Sequence, residues 1–331
     1  MEVLVVGAGE WGRNHIRNYL KLPSINVTVC EPNSRNAEIA KKMFGVEIIS
    51  DYTKTSPDAV SICTPASTHS QIAAYFLLKG IPTLVEKPLS LKWIEAQKLV
   101  DIAKKQHAVL MVGHTFRFDG GITWLAKKVK ENYFGKVAFV SLSRMGFKNP
   151  REDCGVIFNY AVHDFDIMCN LFSSRFPDEV STIMTHPLGR QNFEDFAIVS
   201  AVFGESFAYS QVSWLTPIKM REIIVVGEKR SAVLDPLKFE VEVFEQGIYP
   251  EYDSFGKYRL IKHEGKKLTF KVDAKEPLRL ELEHFLECAK TNSEPITNGQ
   301  LGADIVKICE AAIEAGKRKK SIFFDKNGDW R

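Results

Sequence analysis

Val3-Leu4-Val5-Val6-Gly7-Ala8-Gly9-Glu10-Trp11-Gly12 decides the fold of this chain. Four apolar, mostly β-branched residues make a buried strand, and the glycines after them fit the spacing G-x-G-x-x-G. Gly7 permits a tight turn, Gly9 leaves backbone amides open to a pyrophosphate, and Gly12 lets the next helix pack close to the strand. The pattern carries weight only between a strand and a helix, and the apolar periodicity of residues 11–20 supplies the helix. Glu31 ends the next strand-like run about 20 residues further on, where an acid bonds a ribose 2′-hydroxyl. The segment is therefore expected to bind a dinucleotide through Gly7, Gly9, Glu10, Trp11, Gly12 and Glu31. Glu31 favours NAD, because a carboxylate repels the 2′-phosphate of NADP. Arg35, one helical turn on, would offset that repulsion and keeps NADP open.

The alternation continues outward from this motif. Strand-like runs at 27–30, 59–63, 83–85 and 109–112 alternate with helical patterns at 36–44, 70–79 and 91–105. Such alternation predicts a doubly wound parallel sheet covered on both faces, a Rossmann domain over residues 1–118. Beyond Phe118 the rhythm changes. A helix is expected over 122–131, ended by Gly135, then a long strand over 137–145 and a helix over 156–171. Extended runs follow at 179–185, 196–203, 206–214, 221–226, 232–235, 238–244 and 267–272 with no helices between them. They predict an α+β domain over 119–331, with a large, mostly antiparallel open sheet and closing helices at 278–290 and 301–317. Helices on one side only leave an apolar sheet face, so this second domain is expected to make a homodimer or homotetramer through its sheet.

Composition removes several function classes. Apolar residues at 45% and charged residues at 26% of 331 fit an ordinary globular chain with two cores. A net charge of +3 is too small to argue for nucleic acid, and the run Lys317-Arg318-Lys319-Lys320 complements a helix C-terminus. The six cysteines form no CxxC pair and no metal-ligand spacing with histidine, so they read as reduced core residues and no metal is expected. No apolar stretch is long enough for a bilayer, and Met1 leads straight into the first strand, so the cytoplasm is the expected compartment.

Three more segments end strand-like runs, where ligands gather in open α/β sheets. They are Cys63-Thr64-Pro65-Ala66-Ser67-Thr68-His69, Glu86-Lys87-Pro88 and Gly113-His114-Thr115-Phe116-Arg117-Phe118. With the glycine motif, this order resembles the Gfo/Idh/MocA family of glucose–fructose oxidoreductase, inositol dehydrogenase and rhizopine-catabolism proteins. The resemblance runs nearly the whole chain, through the helix at 156–166 to Glu276-Pro277-Leu278 and Glu281-Leu282-Glu283-His284-Phe285. Glu-Lys-Pro is its most specific mark. It implies an NAD(P)-dependent oxidoreductase that moves a hydride to or from a hydroxyl carbon of a sugar-like substrate. It further implies that Lys87 is the acid–base group beside the nicotinamide, with Thr64, Pro65, His69 and Glu86 near the cofactor and a cis bond before Pro88. An amine beside that cationic ring is expected to have a depressed pKa. His69 reads equally as packing near the cofactor or capping its own helix.

The second cluster is Asn159-Tyr160-Ala161-Val162-His163-Asp164-Phe165-Asp166. On a regular helix Asn159, His163 and Asp166 share a face, and Asp166 would fix the tautomer of His163 so that its other nitrogen meets a substrate hydroxyl. The commonest family pattern has aspartate four residues before this histidine, and this chain has Asn159. A neutral amide takes no proton, so the base is His163 or Lys87. Members acting on nucleotide-linked amino sugars resemble this chain in that substitution, which implies a substrate such as UDP-N-acetylglucosamine oxidised at C3. Arg117 and Arg144 are the candidates for anionic groups, and Tyr160 stands beside them with packing as its stronger reading. The alternatives are a dehydrogenase of a free sugar, sugar acid or inositol, and a non-catalytic NAD(P)-binding sensor, which only Asn159 favours.

Overall fold

A computed structural model describes residues 1–190, 192–236, 238–245, 250–252, 258–260 and 265–331. Its first sheet is built from β1 (Glu2–Val6), β2 (Asn26–Cys30), β3 (Glu47–Ile49), β4 (Ala59–Ile62), β5 (Thr83–Glu86) and β6 (Leu110–Gly113). Helices α1 (Glu10–Tyr19), α2 (Ser34–Phe44), α3 (His69–Leu77) and α4 (Trp93–Gln106) connect them. The strand order is β3-β2-β1-β4-β5-β6, with every pair parallel. The chain winds outward from β1 to β3 and then resumes on the other side with β4. The crevice for ligands in such a sheet lies where the order reverses, between β1 and β4. Residues of β4 and β5 are buried throughout, as a sheet covered on both faces requires. The sequence reading has five of these strands and lacks β3, whose three residues at the sheet edge are too few to show a period.

The rest of the chain builds α5 (Gly120–Lys130), β7 (Val137–Phe147), a π turn (Ile157–Ala161) that runs into α6 (Val162–Phe172), and then β8 (Glu179–Thr185), β9 (Phe196–Phe203), β10 (Ser206–Ser213) and β11 (Leu215–Gly227). β12 (Ser231–Asp235), β13 (Glu240–Phe244), a small pair β14 (Pro250–Tyr252) and β15 (Tyr258–Leu260), and β16 (Lys267–Lys271) follow. Helices α7 (Pro277–Thr291) and α8 (Gly299–Arg318) and a short β17 (Ile322–Phe323) close it. Nine strands form one sheet in the order β16-β13-β12-β11-β7-β10-β9-β8-β17. Among the described residues its ladders are antiparallel except that of β7 with β10. Alternation along the strands gives the sheet two different faces. Val140, Leu142 and Arg144 of β7 are buried on the side where Gly121 meets Leu234 and Asp164 meets Arg144. On the other face Ile183 is 68% and Phe207 42% exposed, and Ile198, Tyr209 and Ile224 are half-buried.

The contacts group Met1–Phe118 with Glu276–Lys307 as one compact unit, and Asp119–Lys275 with Ile308–Arg331 as the other. Helix α7 thus belongs to the first sheet, although a straight cut at residue 118 leaves it with the second. Its Leu278, Leu282, Phe285 and Leu286 share a core with Val3, Val5, Ile16 and Tyr19. The apolar period of α7 says that one face is buried; it does not say under which sheet. Among the described residues no helix is long and apolar enough to cross a membrane.

Candidate cofactor and active site

The glycine turn is shaped by close approach. Gly7 has φ +97°, and a Cβ there would stand 2.8 Å from the carbonyl oxygen of Cys63. At Gly12 a Cβ would stand 2.0 Å from the Gly7 oxygen, so the start of α1 rests directly on the turn. Gly9 is the opposite case, with nothing within 4 Å of its Cβ position. It is also the N-cap of α1 and, as a glycine, offers no side-chain cap to the first-turn amides. Those N–H groups and the helix dipole make a seat for an anion, with open space above it. At the end of β2, Glu31 is held by two backbone amides: Oε2 accepts from Ala8 at 2.7 Å and Oε1 from Asn33 at 2.9 Å. Each oxygen keeps a lone pair for a hydroxyl donor. Glu10 and Arg35 are exposed beside this turn. The residues present fit a dinucleotide. Two glycine substitutions separate fold from seat. Gly12→Ala is expected to lower the melting temperature sharply, whereas Gly9→Ala keeps the melting temperature and loses NAD affinity in a fluorescence titration.

On the far side of the crevice β5 ends in Glu86-Lys87-Pro88, and the Lys87–Pro88 peptide is cis, as the family resemblance implies. Lys87 is half-buried. Glu86 is 6% exposed, and its Oε1 accepts from His15 Nε2 at 2.8 Å and from the Trp11 indole N–H. Its Oε2 accepts from the Lys87 amide at 3.2 Å. Burial alone would raise the Glu86 pKa, but the bond and charge of His15, the Lys87 charge and the Trp11 bond bring it below the ordinary value, so it is a carboxylate. His69 neither caps its helix nor stands open to a ligand. Its Nδ1 lies 2.8 Å from the Pro88 oxygen and its Nε2 2.9 Å from the Thr64 oxygen, tying the β4 and β5 ends together. Thr64 is half-buried and Pro65 exposed beside them.

A second carboxyl lies in the same unit. Glu281 of α7 is fully buried, its Oε2 accepts from Thr115 Oγ1 at 2.6 Å, and its Oε1 has no hydrogen-bond partner among the described residues. Burial, and then the charge of Glu86, push its pKa well above the usual carboxyl range, so it stays a neutral acid. The unfolded chain releases that proton above about pH 4.3 while the folded chain keeps it, so stability falls as pH rises through this window. Glu281→Gln, neutral at every pH, is expected to melt higher than the parent at about pH 8, with a smaller gap at about pH 5. Equal melting of both proteins at the two pH values would show that Glu281 does not hold its proton.

In the other unit the helix carrying the second cluster opens with the π turn at Ile157–Ala161. An extra residue in a turn displaces side chains from the regular α spacing, and such turns recur at functional sites. Glu194 fixes this start: its backbone oxygen accepts from Val156 at 3.0 Å and its Oε1 from Ile157 at 2.7 Å. Asn159, Tyr160 and His163 are half-buried, while Asp164 and Asp166 are 1% exposed. Asp164 is the acid that reaches the sheet. Its Oδ1 takes Arg144 Nε at 3.0 Å and Nη2 at 2.7 Å, and its Oδ2 takes Ser210 Oγ at 2.6 Å. Arg144 is therefore a buried structural partner, which neither sequence reading of it (anion binding or a solvated sheet residue) anticipates. Arg221 of β11 stands opposite Arg144 in the strand register and faces Tyr160 electrostatically. Burial, and then the Arg144 charge, disfavour its charged form. Sequence reasoning missed Arg221 and Asp164, because only the β7–β11 register brings the two arginines together. Among the described residues no group of three His, Cys, Asp or Glu side chains could hold a metal ion.

Comparison with known proteins agrees with this geometry over almost the whole chain. Residues 1–114 match the model "Oxidoreductase family, NAD-binding Rossmann fold", and residues 126–323 match "Oxidoreductase family, C-terminal alpha/beta domain". The chain belongs to the Gfo/Idh/MocA oxidoreductase family. NAD is accordingly its cofactor, and the glycine turn with Glu31 is the part of this Gfo/Idh/MocA chain that fits it. One similar family member is the UDP-N-acetylglucosamine 3-dehydrogenase of Acidithiobacillus ferrooxidans, 32% identical over 169 residues. That match spans 50% of this chain and 53% of the relative, about half of each. The inositol 2-dehydrogenase of Rhizobium meliloti is 22% identical over 96% of this chain and 97% of its own length. In fold, the crystal structure of the Acidithiobacillus ferrooxidans enzyme superposes with a TM-score of 0.80 at 23% identity, over 96% of this chain and 98% of that one.

Proposed function

We propose that this protein oxidises a ring hydroxyl of a sugar, with Lys87 as the group that takes the hydroxyl proton. The supporting observation is the Glu86-Lys87-Pro88 turn at the end of β5, where half-buried Lys87 follows a buried carboxylate that accepts from the Lys87 amide and from Trp11 and His15 of the glycine turn's helix. Bound NAD supplies the hydride acceptor. The alcohol loses its C–H hydride and its O–H proton and becomes a ketone; the proton goes to the neutral Lys87 amine. In reverse the Lys87 ammonium polarises the carbonyl and returns the proton. Around the cofactor we assign Gly7, Gly9, Glu10, Trp11, Gly12, Glu31 and Arg35 to the dinucleotide, with Thr64, Pro65, His69 and Glu86 shaping its nicotinamide end.

For the substrate we assign hydroxyl recognition to Asn159, Tyr160 and His163, with Asp166 as the acid that would fix the His163 tautomer. Arg117, half-buried on the turn after β6, and Arg221 are the guanidinium groups for an anionic part of the substrate. Arg144 contributes by holding Asp164. The class we favour is a nucleotide-linked amino sugar such as UDP-N-acetylglucosamine, oxidised at C3. Its support is Asn159 in place of an aspartate and the 32% match to a UDP-N-acetylglucosamine 3-dehydrogenase. A free polyol is the second reading, favoured by the match of nearly full length to an inositol 2-dehydrogenase. The test is nicotinamide absorbance during incubation with NAD and a panel of UDP-sugars and free polyols. Reduced cofactor with a UDP-N-acetylhexosamine alone is the expected result. Turnover of polyols alone would replace the substrate class, and cofactor binding without turnover would leave a sensor.

We further propose the cytoplasm as its compartment and a second copy of the chain on the partly exposed face of the nine-stranded sheet. None of the six cysteines is in a disulfide, as a reducing compartment favours. Ile183 and Phe207 are large apolar side chains left open on that face.

A further inference from the structure

The inner face of α1 carries a column that the activity does not by itself require. Trp11, His15 and Tyr19 are spaced four apart, and their rings meet edge to face with centroids 6.4 Å apart at both steps. His15 and Tyr19 are fully buried. Ser61 of β4 stands 3.1 Å from both His15 Nδ1 and the Tyr19 hydroxyl, and Glu86 takes the other end of His15.

Donor and acceptor chemistry fixes the Glu86 end of this chain. A carboxylate only accepts, so His15 Nε2 carries a proton and donates to Glu86. At the other end of the ring Nδ1 meets Ser61 Oγ, which takes the Tyr19 hydroxyl as its second partner. Burial pushes the Tyr19 pKa up, so its hydroxyl keeps its proton. Every polar atom in the column then has a partner of the right kind. Glu86 receives two side-chain donors from α1 on one oxygen and the Lys87 amide on the other. Gly113 of β6 lies against the same carboxylate, where a Cβ would be 3.0 Å from its Cδ, so the group is enclosed on that side too. Trp11 is 44% exposed, yet its indole N–H is fixed from beneath.

We propose that His15 is a positioning residue for the reaction: through Glu86 it fixes both the Trp11 ring beside the glycine turn and the Lys87 peptide, so that one buried carboxylate aligns the cofactor's seat with the acid–base lysine. The proposal rests on the reading of Lys87 as the acid–base group, but part of its test does not.

The test compares His15→Gln, whose amide nitrogen reaches the Nε2 position, with His15→Asn, whose amide reaches only the Nδ1 side. Glu86→Gln and Trp11→Phe complete the set. Loss of a hydrogen bond to a charged group predicts that His15→Asn and Glu86→Gln each weaken NAD binding and lower kcat by about tenfold or more, while His15→Gln recovers most of both losses. Tryptophan emission of the cofactor-free protein reads the column directly. His15→Asn and Glu86→Gln are expected to change the component that Trp11→Phe removes, and His15→Gln to leave it close to the parent. The proposal is overturned if His15→Asn matches the parent in emission, affinity and kcat, or if His15→Gln loses as much as His15→Asn. Should His15→Asn not fold, Glu86→Gln and Trp11→Phe decide the same question from the accepting and exposed ends. Full turnover by Lys87→Ala would remove the acid–base reading, while the emission of the cofactor-free variants would still decide whether His15 positions Trp11.

Discussion

Lys87→Ala lowers kcat by about 10²–10⁴-fold and leaves NAD affinity within a few-fold of the parent, the range expected when a positioned acid–base group is removed. The prediction follows from how the Lys87 backbone is held. It is anchored through Glu86, which keeps its other donors from Trp11 and His15 when the side chain of residue 87 is cut away. The cofactor's seat at Gly9 and Glu31 is built from β1, β2 and α1, whereas Lys87 follows β5. Single-turnover absorbance measures the first quantity and a fluorescence titration the second. A fall in kcat of less than tenfold would move the base role to His163. A parallel loss of NAD affinity would make Lys87 a cofactor residue instead.

Asp164→Ala is expected to destabilise the protein by about 3–5 kcal/mol, the cost of leaving a buried charge without its partner. Both carboxylate oxygens are committed, one to Arg144 and one to Ser210, and the side chain is 1% exposed. Arg221 stands across the strand pair from Arg144, so removing the acid takes away a negative charge that favours both guanidinium groups. For a unit of this size the melting temperature should fall by about 10 °C. Thermal unfolding of Asp164→Ala, Arg144→Met and the double variant separates charge from packing. The double variant is expected to recover a large part of the loss, because an apolar pair has no charge to leave buried. If the double variant is as unstable as the sum of the single ones, the pair matters for its shape alone.

The first sheet was legible because its signals are local. The glycine turn, Glu31, and the alternation of short apolar runs with amphipathic segments all lie within a few residues of one another. The long open sheet was legible as a run of extended segments, but its order was not: β7 pairs in parallel with β10 and antiparallel with β11, and no spacing in the sequence states that. The same limit explains the site. Lys87 stood out through its tripeptide, whereas Arg221 and Asp164 became visible only once register and burial put them beside Arg144. His15 carried no motif at all. It reads in sequence as an inward position of α1, and its partners come from β4 and β5, 46 and 71 residues away.

Helix α7 gives the first sheet a delayed completion. Val3, Val5, Ile16 and Tyr19 share their core with Leu278, Leu282, Phe285 and Leu286, so the residues that begin the chain find part of their covering only in the stretch between 277 and 291. During synthesis, at about 5–20 residues per second, the amino-terminal sheet is exposed for many seconds before that helix leaves the ribosome. The uninterrupted segment Asp119–Lys275 emerges in the meantime. A nascent chain stopped short of α7 therefore presents a sticky, half-clad Rossmann sheet, a natural client for chaperones, and the last helices act as the latch that releases it.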